Sequence, residues 1–396
     1  TLESMASVAS AYWIDVKEKI NSTTLAATST VRGILEDSIA SSALSSGSAP
    51  LVVFVVYDLP NRDCHASASN GEICCAYEED GTCDYDGASS DCADGVEEYK
   101  TEYIDPLAAV LAEYEGRANV VLIIEPDSLP NLATNLGTVN CNTATESAYL
   151  AGVPYAVETL AAACPTSCSL YLDAAHGGWL GWQDNLDSFV STVTSLNITS
   201  YLRGFSTNVA NYQTIGIQCD ASVDCIQGPG EDDPCCDDPC GLLDQYNYGN
   251  NELNYANMLL QAMATSVPSF DPHFVIDSGR NGVSDMRSDC ANWCNIRGAG
   301  VGLLPNTATG NTTIVDAYFW LKTPGESDGC TQTLPSGDDP YSPGDLCARY
   351  DSMCGSVDSI GSQSGEPYAP EAGSWFDYQV KQLASNAHMS ADVVDA

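Results

Sequence analysis

Five aspartates are the first residues of this sequence that could do chemistry. Hydrolysis of an acetal needs a carboxylic acid that protonates the leaving oxygen, and a base or nucleophile on the other face of the sugar ring. The candidates for these two groups are Asp63, Asp127, Asp173, Asp277 and Asp328. The segment Ile124-Glu-Pro-Asp-Ser-Leu129 surrounds Asp127 with apolar residues and a second carboxylate, which raise the pKa of an acid. We therefore expect Asp127 to act as a proton donor.

Two tryptophans lie close together in the glycine-rich stretch Gly177-Gly-Trp-Leu-Gly-Trp182. A loop does not need two indoles for stability, whereas an indole offers a flat face on which a pyranose ring can stack. Trp179 and Trp182 therefore indicate a sugar-binding platform, with a small satellite core as the alternative. Trp13 and Trp293 are less informative by themselves, because an isolated tryptophan commonly packs in the core.

Other chemistries fit the sequence less well. It contains no Gly-x-Ser-x-Gly motif between a strand and a helix, and no glycine-rich phosphate loop. Cys235, Cys236 and Cys240 have a spacing that zinc could use, but acidic cysteine-rich loops of secreted proteins favour disulfides. The acidic runs at 78–81 and 84–87 do not match the full calcium-loop pattern, so calcium is a weaker alternative. We expect neither a metal nor another cofactor.

Short apolar runs lead into most of these polar residues. The runs are continuous rather than alternating, which is typical of strands buried on both faces, and helix-like stretches lie between them. This order predicts a parallel α/β sheet or barrel, where chemistry sits at the carboxyl ends of the strands. The alternative for any single aspartate is that it caps the next helix. The strand-like runs cover 51–57, 119–124, 169–172, 201–205, 273–276 and 316–321, and the helix-like stretches cover 103–114, 146–163, 251–264 and 374–387.

The charge of the chain narrows the class of partner. Its 396 residues include 54 acidic and 13 basic ones, which gives a net charge of −41. Nucleic acid and an anionic membrane surface are disfavoured, because both bind clusters of Lys and Arg. A neutral sugar chain is not repelled. The acid surplus also favours a soluble monomer.

The cysteines point to an oxidising compartment. Eighteen cysteines and the sequons at Asn21, Asn197 and Asn311 indicate a secreted, extracellular protein with up to nine disulfides. No apolar stretch approaches a membrane span, and the first residues lack the pattern of a leader, so we interpret the chain as a mature form. The segments 73–98, 218–251 and 323–372 are predicted to be long loops stapled by disulfides.

An ordered series of motifs spans almost the whole chain. They are Ala11-Tyr-Trp-Ile-Asp15, Tyr57-Asp-Leu-Pro-Asn-Arg-Asp-Cys64, Ile124-Glu-Pro-Asp-Ser-Leu129, Asp173-Ala-Ala-His-Gly-Gly-Trp-Leu-Gly-Trp182, Gly204-Phe-Ser-Thr-Asn-Val-Ala-Asn-Tyr212, Asp277-Ser-Gly-Arg-Asn281, Asn292-Trp-Cys-Asn295, Lys322-Thr-Pro-Gly-Glu-Ser-Asp-Gly329 and Glu371-Ala-Gly-Ser-Trp375. The series resembles glycoside hydrolase family 6, the inverting cellobiohydrolases and endoglucanases. The resemblance implies a distorted seven-stranded, TIM-like parallel β/α barrel. We also expect a single catalytic domain over 1–396, because no Ser/Thr/Pro-rich linker leads to a separate carbohydrate-binding module.

The resemblance also implies roles by position. Asp127 matches the general acid. Asp63 matches the aspartate that tunes this acid and relays a proton through a water, and Ser69 matches a residue that helps to hold that water. Tyr57 matches a tyrosine that crowds the sugar at the cleavage site, and Asp328 matches an aspartate discussed as the base. The residues that match substrate-binding positions are Trp13, Asp15, His176, Trp179, Trp182, Asn211, Trp293, Lys322 and Glu326, and the implied disulfides are Cys64–Cys141 and Cys294–Cys354.

The length of the loops indicates whether cleavage is expected at chain ends or inside a chain. In the family, enzymes that cut at chain ends roof the cleft with two loops, and those that cut internally have shorter ones. The segment 322–371 is long, and its Arg349-Tyr-Asp-Ser-Met-Cys354 resembles the roof loop. We therefore favour release of cellobiose from the non-reducing ends of cellulose and cello-oligosaccharides. An open-cleft endoglucanase and a non-catalytic glucan-binding protein are the alternatives. Two cysteine-rich insertions, after Glu72 and after Gln218, have no counterpart in the resemblance.

Overall fold

A single parallel sheet organises the chain. The computed structural model describes residues 2–45, 47–228, 230–333 and 346–389. Seven strands pair in chain order, and every neighbouring pair is parallel. This confirms the predicted seven-stranded β/α fold. The strands are β1 (Tyr12–Ile14), β2 (Leu51–Val56), β3 (Asn119–Ile124), β4 (Cys168–Asp173), β5 (Gly204–Thr207), β6 (His273–Asp277) and β7 (Val315–Phe319).

The first and last strands approach each other. The backbone N–H of Ala11 donates to the carbonyl of Trp320 at 2.9 Å, and the Trp13 indole N–H donates to the carbonyl of Leu321 at 2.8 Å. These bonds join the start of β1 to the residues just after β7. The sheet is therefore curled into a distorted barrel, with β4 on the side away from this seam.

Alternating side chains of the strands bury two separate faces. In β2, Val52, Phe54 and Val56 belong to the large core beneath the helices, whereas Val53 and Val55 point into the barrel interior. Both sets are almost fully buried. A period of two with apolar residues on both faces produces the continuous apolar runs of the sequence, and it explains why these runs form central parallel strands.

Helices cover the outer face of the barrel. Helix α5 (Asp105–Glu113) continues from helix α4 (Ala93–Glu98) through a π-helical segment, Tyr99–Ile104, which supplies the buried Tyr99 and Tyr103. Across the described residues, no helix combines the length and the apolar character that a bilayer crossing requires. The helices are α1 (Leu2–Met5), α2 (Glu18–Asn21), α3 (Val31–Ser45), α4 (Ala93–Glu98), α5 (Asp105–Glu113), α6 (Ser128–Thr134), α7 (Thr143–Ala163), α8 (Gly177–Leu180), α9 (Gln183–Ser195), α10 (Glu252–Ser266) and α11 (Asp377–Ser385).

All 18 cysteines form disulfides. Both pairs implied by the resemblance, Cys64–Cys141 and Cys294–Cys354, are present. The cysteines that offered a zinc spacing are bonded to other cysteines as well. Residues 334–345 of the long segment predicted as a roof lie outside the described residues. The remaining pairs are Cys74–Cys83, Cys75–Cys92, Cys164–Cys168, Cys219–Cys235, Cys225–Cys236, Cys240–Cys290 and Cys330–Cys347.

Candidate active site

A cleft of about 1170 Å³ crosses the barrel where the strands end. Its lining contains every residue to which the resemblance assigns a catalytic or substrate-binding role. Catalytic candidates in the lining are Tyr57, Asp63, Ser69, Asp127 and Asp328, and binding candidates are Trp13, Asp15, His176, Trp179, Trp182, Asn211, Trp293, Lys322 and Glu326. These residues come from β1 and from the loops that follow each of the seven strands, so the parallel sheet is what brings them together.

Asp127 lies between β3 and α6 in a left-handed backbone conformation, with a φ of 62°. Its backbone N–H donates to Asp173 Oδ2 at 3.0 Å, which fixes the turn. Burial, and then repulsion from Asp63 and Asp173, raise the pKa of Asp127 well above its ordinary value. A carboxyl group in this position stays protonated at a pH where exposed aspartates are ionised, as a proton donor must.

Asp63 and Asp127 form a pair of interacting carboxyl groups. Asp63 also has a left-handed backbone conformation, with a φ of 50°. Burial raises its pKa to about 6, against hydrogen bonds from the hydroxyls of Tyr57 and Ser69. The Tyr57 hydroxyl donates to Asp63 Oδ2 at 3.2 Å. Left-handed conformations of non-glycine residues carry a backbone cost, and they persist where the surrounding structure holds a site in place.

Two residues that the sequence reasoning missed hold this pair together. The Asn131 amide donates to the carbonyl of Asp127 at 2.7 Å and to Asp63 Oδ1 at 3.4 Å. The Arg62 guanidinium donates to the carbonyl of Ser69 at 2.9 Å and lies 4.3 Å from the Tyr57 ring centre. Asn131 could have been found from its place four residues after Asp127, since that spacing puts both at one side of a helix start.

Glu125 joins the ends of β2 and β3 beneath the site. Its fully buried carboxylate accepts the backbone N–H groups of Asp58 at 3.2 Å and Leu59 at 3.3 Å, and the Tyr99 hydroxyl at 2.7 Å. Burial raises the pKa of Glu125 to about 7. The loop that carries Asp63 is therefore anchored to the strand that carries Asp127.

Asp328 is held by cationic and neutral donors. Arg280 Nη1 lies 2.7 Å from both of its oxygens, the Tyr212 hydroxyl donates at 2.8 Å, and the Asn295 N–H donates at 2.8 Å. Arg280 and Asp328 are both buried. Their ion pair holds the aspartate in one orientation.

The two remaining aspartates, Asp173 and Asp277, accept hydrogen bonds from backbone N–H groups. Asp173 accepts the N–H groups of Asp127 and Ala175, both at 3.0 Å. Asp277 accepts those of Ala210 at 3.0 Å and Lys322 at 2.9 Å, among others. Neither is among the described residues that line the cleft. Asp173 and Asp277 therefore position loops. Residue type and place at a strand end did not distinguish them from Asp63, Asp127 and Asp328.

Aromatic side chains lie at both ends of the cleft. At the β1–β7 seam, the Trp13 ring lies edge-on to Tyr57 with centres 5.2 Å apart, and Lys322 Nζ lies 5.2 Å from the Trp13 ring centre. At the β4 side, the indole N–H of Trp179 donates to Thr134 Oγ1 at 2.8 Å, and that of Trp182 donates to the carbonyl of Gln245 at 3.1 Å. Because Trp179 and Trp182 make these hydrogen bonds at the nitrogen edge of the indole, the faces of their rings can line the cleft.

His176 lies beside Trp179, with ring centres 6.2 Å apart, and Asn211 lies next to it. Their side chains are within hydrogen-bonding distance, with 3.0 Å from His176 Nε2 to Asn211 Nδ2. Burial, with a contribution from the charge of Arg287, lowers the pKa of His176 to about 3. A neutral imidazole beside an amide suits hydrogen bonding to sugar hydroxyls rather than charge stabilisation.

A loop around 346–355 crosses the cleft and contacts the loop that follows β2. Arg349 Nη1 donates to the carbonyl of Asn70 at 3.0 Å, and the Ser67 N–H donates to Asp351 Oδ2 at 2.8 Å. Arg349 and Asp351 both line the cleft. The Cys294–Cys354 disulfide fastens the same loop beside Trp293. This loop therefore lies along the cleft against the loop that carries Asp63 and Ser69, at the place where the resemblance implies a roof.

A parallel barrel whose cleft combines paired carboxyl groups with aromatic platforms is that of a glycoside hydrolase. The family model described as glycosyl hydrolases family 6 matches residues 1–387. The chain therefore belongs to glycosyl hydrolase family 6.

Relatives and solved structures agree with this assignment. The chain is 36% identical over 390 residues to a 1,4-beta-D-glucan cellobiohydrolase C of Emericella nidulans, covering 97% of this chain and 70% of the relative. It is 36% identical over 342 residues to exoglucanase 3 of Agaricus bisporus, covering 85% and 64%. The CcCel6A catalytic domain in complex with p-nitrophenyl beta-D-cellotrioside superposes with a TM-score of 0.73 at 33% identity, covering 97% and 88%. The catalytic core of the cellobiohydrolase Cel6A from Chaetomium thermophilum gives 0.72 at 30% identity, covering 97% and 89%.

Proposed function

We propose that this protein is a cellobiohydrolase that hydrolyses the β-1,4-glucosidic bonds of cellulose and cello-oligosaccharides with inversion and releases cellobiose from non-reducing ends. The observation that carries the proposal is the placement of Asp127 beside Asp63 in a cleft that a tethered loop roofs. A protein that only binds glucan has no need for a carboxyl group kept protonated there. The names of the curated relatives, and the cellotrioside in one related structure, support the class of substrate.

Asp127 donates its proton to the leaving glycosidic oxygen. Asp63, with a pKa of about 6, is largely ionised at neutral pH and accepts the proton of the attacking water through a second water. The Ser69 and Tyr57 hydroxyls, which both bind Asp63, orient this relay. Inversion requires room for a water between the base and the sugar, and a relayed proton satisfies that requirement.

The contacts of Asp328 favour this relay over direct proton transfer to Asp328. A proton on this carboxyl group would break its buried ion pair with Arg280 and compete with the Tyr212 hydroxyl. Loss of one charge from a buried pair is costly. Asp328 therefore acts as a fixed negative charge on the cleft wall, which stabilises the positive charge that develops on the sugar ring.

The aromatic platforms and polar side chains of the cleft bind the glucan chain. The Trp13 and Trp293 rings stack glucosyl units at one end, and the Trp179 and Trp182 rings stack them at the other. The hydroxyls of the sugars bind the remaining polar set, which is Asp15, His176, Asn211, Lys322 and Glu326.

The roof is what favours action at chain ends. A chain beneath the 346–355 loop cannot leave sideways without breaking the contacts of Arg349 and Asp351, so it threads through from an end. The test is the product profile on amorphous cellulose, with soluble and insoluble reducing ends counted separately. Soluble cellobiose should dominate. Rapid growth of insoluble ends would indicate an endoglucanase, and no sugar at all would indicate a binding protein.

The stereochemistry has its own test. Proton NMR of the first product should show the α-anomer, because water attacks the face opposite to the leaving group. A β-anomer would contradict inversion.

We also propose that the chain acts outside the cell as one catalytic domain and as a monomer. The disulfides support an oxidising compartment. The sequon residues Asn21 and Asn197 are exposed, as glycosylation would require. Gel filtration with light scattering tests the monomer.

A further inference from the structure

The second cysteine-rich insertion, residues 218–251, packs against the loop that carries the indoles of the β4 side. The Gln245 carbonyl accepts the Trp182 indole N–H. Asn247 is fully buried, and its amide donates to the carbonyl of Gly177 at 2.9 Å. A Cβ atom on Gly181 would lie only 2.2 Å from Asn247 Oδ1, so the two segments touch without a gap. The stretch 245–249 therefore lies directly against the edge of the cleft that Trp182 forms.

Disulfides and buried amides make this stretch rigid. Cys240 is bonded to Cys290, which itself lines the cleft. The side chains of Asn250 and Asn254 donate to the carbonyl of Cys235 at 3.1 and 3.2 Å. A preorganised surface binds a ligand without the entropic cost of ordering a loop.

Two tyrosines of this rigid stretch face outward. Tyr246 is 65% exposed and Tyr248 is 41% exposed. Tyr246 has a φ of 59°, a left-handed conformation that is rare for a bulky residue. An exposed ring in such a conformation contributes little core packing. A ring presented at the end of a sugar-binding cleft is instead suited to contact with a ligand.

We propose that Tyr246, with Tyr248 beside it, forms an additional glucosyl-binding site for the part of a β-1,4-glucan chain that extends out of the cleft past Trp182. The proposal rests on the proposed function. The occupant follows from continuity, because a chain that crosses from the β1–β7 seam to the β4 side leaves the cleft over 245–249. The ligand is a neutral glucan, which the net charge of −41 does not repel.

The test measures how affinity depends on the length of the ligand. Dissociation constants are determined by calorimetry for cello-oligosaccharides from the trimer to the octamer, in an Asp127→Asn background that prevents hydrolysis. Tyr246→Ala is compared with Tyr246→Phe, which keeps the ring. The matched control is Tyr201→Ala, which removes a tyrosine that is 45% exposed just before β5, at the opposite end of the barrel.

Tyr246→Ala should weaken binding of the longest oligosaccharides by about two- to tenfold, the range for one aromatic contact, and should leave cellotriose unchanged. Tyr246→Phe and the control should match the parent at every length. Equal affinity of Tyr246→Ala and the parent for the octamer would overturn the proposal. Equal weakening at every length would also overturn it, because Tyr246 would then act through the Trp182 loop. If the parent binds no cello-oligosaccharide at all, the proposed function itself fails.

Discussion

Replacing Arg280 tests whether Asp328 is a fixed charge. Arg280 is 1% exposed and Asp328 is 7% exposed, so Arg280→Met leaves a buried carboxylate without its cation. Removing one partner of a buried ion pair costs about 3–5 kcal/mol. An unfolding entropy of about 2.1 cal/mol/K per residue gives about 0.8 kcal/mol/K for 396 residues. The melting temperature should therefore fall by about 4–6 °C, as measured by scanning calorimetry.

A surface ion pair provides the matched control. Arg203 makes hydrogen bonds of 2.8 and 2.9 Å to Asp316, but both residues are partly exposed to water. Such pairs contribute at most about 1 kcal/mol. Arg203→Met should therefore lower the melting temperature by only about 1 °C. The comparison separates loss of a buried charge partner from loss of an arginine.

A double variant shows whether the charge is the cause. Arg280→Met with Asp328→Asn removes both charges and keeps an oxygen that can accept the Tyr212 hydroxyl, so it should melt above Arg280→Met alone. Two results would refute the reasoning. One is an Arg280→Met protein as stable as the control variant, and the other is a double variant less stable than the single one.

Three further predictions concern the acid, the buried carboxyl groups and the roof. Asp127→Asn should lower kcat on cellotetraose by about 10²–10⁴-fold and retain binding; undiminished turnover would remove it as the acid. Burial raises the pKa of Glu125 and of Asp173 to about 7, so the folded protein keeps protons that the unfolded chain releases. The melting temperature should therefore fall as the pH rises from about 4 to 7. A melting temperature that rises over this range in calorimetry would contradict this. Replacing Cys294 and Cys354 with serine should free the roof and increase the share of insoluble reducing ends; an unchanged share would show that the roof does not set the product profile.

The sequence predicted the central strands well and the peripheral helices less well. The six apolar runs correspond to β2 through β7, because a strand buried on both faces needs a continuous apolar run. Strand β1 has only three residues and was marked only by its motif. The four helix-like stretches correspond to α5, α7, α10 and α11. The other helices were missed, and α3 and α9 are the longest of them. Helix α9 is rich in Ser, Thr and Val, which are weak helix formers, and it packs on the core through Leu186, Phe189 and Val193.

The sequence predicted the residues that line the cleft better than the residues that hold other side chains or loops in place. Motifs located the lining of the cleft, because side chains at the carboxyl ends of parallel strands converge. Asn131, Arg62 and Glu125 were missed as supports, because their roles depend on contacts between loops that are distant along the chain. Tyr246 lies in an insertion outside the family motifs, and the contacts of its neighbours Gln245 and Asn247 show that it lies near the cleft.

The aspartates at the strand ends show why residue type alone does not assign chemistry. Asp277 accepts backbone N–H groups on both oxygens, Asp173 accepts two of them on Oδ2, and Asp328 accepts an arginine. The pKa of Asp127 is raised by burial and by two neighbouring carboxyl groups, without an arginine among the causes. Donors that bind the oxygens of an aspartate oppose its protonation and suit it to hold a loop, whereas neighbouring acids favour a proton on it. The neighbours of each carboxyl group, rather than its place at a strand end, therefore distinguish the proton donor from its supports.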